Sequence, residues 1–315
     1  MRINYQYSKL KTLEPTTGDR ISELMNIKAL QHAGFAVKFG ATITDRFFSQ
    51  LAYVRANEPY FDKMKGIKRI WFASPYNFRC MLQADAIATF TDVWTSLLVF
   101  GREFNLNPDG KVWGNKVFTM PQTIDPVFFD AVKLTNHVFS VCITGRLVNS
   151  TYPKTLMEYW LAFRKKYDAV LFIATHNITK DLSIPKYTQI LEVPHRTMPN
   201  LLGSMSLMIA GQHGEEWEYC GNMKILEAAA VGLPIIMERS AAREEDFGYD
   251  YPLFVPRGTM TNPDMKDELF KAFDIYVQDP HCADPFLRLA AKRHSIEVTS
   301  IKIRQAINKI IPPAF

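Results

Sequence analysis

Short apolar runs bounded by Gly, Pro and polar turns recur along the chain, and stretches with apolar residues at helical spacing lie between them. In the first part, residues 3–8, 35–41, 69–74, 85–90 and 116–121 predict strands. Residues 21–32 predict an amphipathic helix, apolar at Ile21, Leu24, Met25, Ile27 and Leu30. Residues 45–56 read as a second helical stretch. Turn residues Pro121, Asp125 and Pro126 then cluster, and the pattern restarts with strands over 138–145, 169–174 and 188–193. A helix follows the first of these, with Leu156, Tyr159, Trp160 and Phe163 facing inward. The tail predicts three helices, over 264–278, 285–294 and 298–310.

The most informative stretch is CGNMKILEAAAVGLPIIM, residues 220–237. Asn222 is a polar cap, nine residues without Gly or Pro follow, and Gly232 closes the helix. The apolar run 233–237 is then a strand buried on both faces, as in parallel sheets. With the strand 207–211 before it, the unit is strand, long loop, helix, strand. The chain therefore predicts an α/β protein of two doubly wound, Rossmann-like domains facing a cleft, 1–125 and 126–315, with the last helix a candidate to cross back.

Composition narrows this further. A chain of 315 residues that is 47% hydrophobic can bury a large core. No apolar run approaches the length of a membrane span, and MRINYQYSKL lacks a signal peptide's apolar stretch. The four Cys (80, 142, 220, 282) are scattered, which predicts reduced thiols, a cytoplasmic location and no structural zinc. Residues 1–125 hold sixteen Lys and Arg against eleven Asp and Glu, whereas the remainder is balanced at twenty-one each. The whole net charge of +5 thus sits in the first half, as ordinary surface variation or as an attraction for an anionic acceptor.

No Walker loop, H-E-x-x-H, G-x-S-x-G or D-x-D occurs, so triphosphatase, zincin, hydrolase and metal-bound diphosphate readings lack support. Positive groups at strand and helix ends carry the candidate chemistry instead. A helix starting at Asn222 and Met223 presents backbone amides to an anion, and Gly221 lets a phosphate approach them. Lys224 and Glu227 share one helical face, a cation for phosphates and a carboxylate one turn deeper for ribose hydroxyls. Arg146, after Gly145 at a strand end, offers a planar fork to phosphate.

GNMKILEAAAVGLPII resembles the donor segment of nucleotide-sugar glycosyltransferases of the GT-B fold, family four, in which K-x-x-E-A precedes G-x-P-V-I. MPQTIDPVFF is similar to that family's interdomain hinge, and GRL with Lys154 to its diphosphate-holding pair. The resemblance implies glycosyl transfer from a nucleoside-diphosphate sugar with retention of configuration, with no cofactor and no metal. Glu227 matches the ribose-binding Glu of the signature, but the sugar-binding Glu falls on Tyr219, leaving Glu216 and Glu218 as nearby candidates. His195 and Arg196 lie where the family binds the nucleobase; Gly18, Ser74 and Tyr76 lie on the acceptor side, where the family's His is missing. Arg146, Lys154 and Glu218 are the catalytic candidates; the acceptor stays open among polysaccharide, lipid-linked sugar and nucleic acid bearing a modified base. The alternative is a GT-B-like protein that binds nucleotide sugars without turnover.

Overall fold

The computed structural model describes the chain except residues 8–17, 41–48, 56, 74–76, 101–112, 135–137, 146–152, 176–183, 185, 213–217, 220 and 313–315. It forms two compact units, residues 1–123 with 294–315 and residues 124–293. Each is built on a six-stranded sheet whose pairings are all parallel.

The first unit runs β1 (Arg2–Tyr7), α1 (Gly18–His32), β2 (Ala36–Phe39), β3 (Leu51–Arg55), α2 (Glu58–Lys63), β4 (Lys68–Phe72), α3 (Phe78–Gln83), β5 (Ala86–Thr89), α4 (Asp92–Phe100) and β6 (Val117–Thr119). Its strand order is β2-β1-β3-β4-β5-β6. The helix expected over 45–56 is not what the described part shows, since Leu51–Arg55 is β3, a central strand. All five of its residues are buried, so no polar face exists for a surface helix to show, and β-branched and aromatic Val54 and Tyr53 suit a strand covered on both sides.

Beneath the end of this sheet lies a buried polar cluster. Glu23 of α1, with no exposed surface, accepts hydrogen bonds from Tyr5 of β1 and from Arg55 of β3. The Tyr5 and Tyr53 rings stack at 4.5 Å, and the Arg55 guanidinium lies 4.5 Å from the centre of the Phe72 ring.

The second unit runs β7 (Phe139–Thr144), α5 (Lys154–Tyr167), β8 (Ala169–Ala174), β9 (Thr188–Leu191), α6 (Met198–Gly203), β10 (Leu207–Ala210), α7 (Met223–Val231), β11 (Ile235–Glu238), α8 (Ala241–Phe247), β12 (Phe254–Val255), α9 (Lys266–Gln278) and α10 (Asp284–Arg293). The order β12-β11-β10-β7-β8-β9 is that of a dinucleotide-fold sheet, whose direction of winding reverses between β7 and β10. β11 begins two residues later than its apolar run, because the Leu233 amide closes the preceding helix on the Ala228 carbonyl.

The expected domain 126–315 held all three tail helices, whereas the last of them, α11 (Ile296–Ile310), falls in the first unit. Ile303 and Ile307 are buried, Arg304 donates to the Ala33 carbonyl at 2.6 Å, and Thr123 donates to Thr299 at 2.9 Å. An apolar stripe four residues apart needs a partner, and α1 supplies it. Among the described residues no helix is long and apolar enough to cross a membrane.

Candidate functional site

In an open parallel sheet a ligand binds beyond the carboxyl ends of the strands where the winding reverses, here at the ends of β7 and β10 in the second unit. β7 ends in Thr144, followed by Gly145 at φ +113°. α7 starts at that same edge. Asn222 caps it, its side-chain oxygen accepting from the Lys224 amide at 3.2 Å, and Gly232 ends it in the left-handed conformation.

The first two turns of α7 carry the polar groups. The Lys224 ammonium reaches back to the Thr144 carbonyl at 3.5 Å. A Cβ on Gly145 would lie 1.7 Å from it, so the glycine makes room for the lysine. Glu227, one turn deeper and only 5% exposed, meets His195 Nε2 at 3.0 Å. His195 opens a 3-10 turn after β9, and its ring packs 5.2 Å from that of Phe128. Burial raises the Glu227 carboxyl above its ordinary range; the His195 hydrogen bond and Lys224 pull it down, and Asp125 pushes it up. Asn222 is buried too, and its side-chain NH2 has no partner among the described residues, a donor at the start of α7.

The structure thus brings together Gly145, Asn222, Lys224, Glu227 and His195. Gly221 leads into the helix, while Met223 is buried and serves the core. Arg196, beside His195, and Lys154, the first residue of α5, are exposed. Glu218 is committed elsewhere: it accepts from the Ala241 amide at the start of α8 at 3.3 Å and pairs with Arg257 at 3.5 Å. Gly18 opens α1 in the first unit. Arg146, Ser74, Tyr76 and Glu216 lie outside the described residues.

One residue that sequence reasoning missed is Arg243 of α8, buried and donating to the carbonyls of Glu238 and, at 2.9 Å, Gln212. Burial lowers its pKa to about 10, so it remains a cation at neutral pH while fastening the segments that follow β10 and β11. The one signal in the sequence was an Arg in the first turn after a Ser cap, on a helix too short to show a period.

Gly145→Ala is expected to destabilise the second unit by about 1–3 kcal/mol through its positive φ and to push the lysine aside. Thermal melting checks it: a variant that melts with the wild type would show that Gly145 makes no needed room for the lysine.

By sequence, neither a family pattern nor a curated protein matches the chain. Solved structures do, and they define the class: two Rossmann-like units in series, the fold of the GT-B glycosyltransferases. A glycosyltransferase from Rickettsia africae superposes with a TM-score of 0.70 at 11% identity, covering 99% of each chain. Sucrose-phosphate synthase from Thermosynechococcus elongatus gives 0.70 at 10% identity over 98% of both. HepE from Anabaena, solved with UDP-glucose, gives 0.68 at 10% identity over 98% of this chain and 100% of its own.

Proposed function

We propose that the protein is a glycosyltransferase that moves a sugar from a nucleoside-diphosphate sugar to an acceptor hydroxyl, with retention of configuration and without a metal. One observation carries this reading: Lys224 and buried Glu227 share one face of α7, whose capped start lies at the reversal point of the sheet with an Asn222 NH2 that has no partner among the described residues. A diphosphate at the start of α7 meets backbone amides, a side-chain NH2 and an ammonium, and a ribose one turn deeper meets a carboxylate. As the glycosidic bond breaks, negative charge grows on the leaving phosphate, and these fixed donors stabilise it. Gly145 belongs to the same edge. The structural neighbours support it, since one is a glycosyltransferase, one a sucrose-phosphate synthase, and a third was solved with UDP-glucose.

For the acceptor we infer an anionic molecule facing the basic first half, a polysaccharide, lipid-linked sugar or modified nucleic acid; turnover that falls steeply with salt supports it. A second reading, nucleotide-sugar binding without turnover, is favoured by Glu218, whose carboxylate serves α8 and Arg257.

A thermal-shift panel of nucleoside diphosphates and nucleotide sugars, followed by assay of diphosphate release, tests both. Ligand at 100 times its Kd adds about 2.7 kcal/mol to stability. A shift with release supports the enzyme, a shift without release the binding protein, and no shift with any nucleotide removes both.

A further inference from the structure

Buried Glu227 is not alone in its pocket, and what holds it decides how it can serve a nucleotide. We propose that His195 is a positioning residue: it does not contact the nucleotide, but fixes the Glu227 carboxylate, ionised and aimed, to accept both ribose hydroxyls. This rests on the donor-site reading above and goes beyond it, because the resemblance places His195 at the nucleobase.

The geometry leaves His195 little freedom for direct contact. Its Nε2 is spent on Glu227 Oε1 at 3.0 Å, its side chain is 10% exposed, and its ring packs on the fully buried Phe128. An imidazole N–H donated to one carboxylate oxygen fixes the plane of the carboxylate and leaves the other oxygen, with two lone pairs, to accept from the two ribose hydroxyls. Among the described residues, the titratable groups facing Glu227 are His195 from the 3-10 turn, Lys224 from its own helix and Asp125 from the segment leading to Phe128. Of these, His195 supplies the hydrogen bond. Burial opposes ionisation of Glu227 and His195 counters it, so removing the imidazole leaves a carboxyl that takes up a proton at higher pH.

The experiment is calorimetric titration of wild type, His195→Ala and His195→Asn with UDP, GDP and ADP, each beside its 2′,3′-dideoxy form, from pH 5.5 to 8.5. Wild type is expected to favour the ribonucleotide by about tenfold or more, the worth of hydrogen bonds to a charged acceptor. In His195→Ala that preference shrinks to within about threefold, the affinity for the dideoxy form holds, and ribonucleotide affinity starts to fall at higher pH than in wild type. His195→Asn keeps an N–H donor, restores part of the preference, and guards against a folding defect in the alanine variant. Equal losses for ribo and dideoxy forms at every pH overturn the proposal in favour of direct contact, and unchanged preference overturns it outright. If wild type binds no nucleotide, the donor-site reading fails and this inference with it; if wild type binds and only the His195 pattern is absent, the reading stands.

Discussion

Glu227→Ala is expected to lower kcat/KM for the nucleotide-sugar donor by about 100-fold or more, through loss of two hydrogen bonds to a charged acceptor. The more telling variant is Glu227→Gln, which keeps the size and loses the charge. Burial holds the Glu227 carboxyl above its ordinary value of 4.5 in the fold. A group raised in the fold favours folding below its unfolded value, and that contribution is lost as pH rises through the folded value. At neutral pH the ionised carboxylate therefore weighs against the ligand-free fold, and removing its charge relieves that. Glu227→Gln should melt no lower than wild type at pH 7.5 while binding nucleotide far more weakly. A glutamine variant that melts well below wild type would make Glu227 a structural residue and remove the carboxylate from the proposed ribose contact.

The second large effect is on stability alone. Arg55→Ala leaves the Glu23 carboxylate buried with Tyr5 as its remaining described partner, and breaking such a pair destabilises by about 3–5 kcal/mol. For a unit of this size the melting temperature should fall by about 10 °C. The paired replacement Glu23→Leu with Arg55→Met should recover most of that loss, because an apolar pair of similar volume avoids the desolvation of both charges. Differential scanning calorimetry decides it: equal losses in the single and paired variants would show that shape, not charge pairing, holds this corner of the sheet.

Much of the local structure was legible because local chemistry encodes it. Asn222 and Gly232 bracket α7 as a cap and a left-handed stop must, and β8 coincides with the apolar run 169–174. Lys224 and Glu227 could be paired on paper because three residues along a helix return to one face. β3 was hidden because a strand buried on both faces lacks the alternation that distinguishes a strand from a buried helix. Helices α2 and α3 are six residues long, too short for a period. Glu218 was proposed for a sugar from its nearness in sequence to the family's signature position; in the fold the start of α8 draws it away, since an unpaired helix amide competes for any carboxylate in reach.

The sequence by itself determined most strands of two parallel sheets and the cap, cation and carboxylate of one helix, all properties of neighbours within a few turns. Tertiary structure alone decided the rest: that His195 meets Glu227 across 32 residues of sequence, that Gly145 yields its Cβ space to Lys224, and that Arg243 fastens two strand ends. Those contacts depend on which buried polar group finds which partner once water is excluded. No pattern along the chain records that choice, because the partners become neighbours only when the sheet is wound.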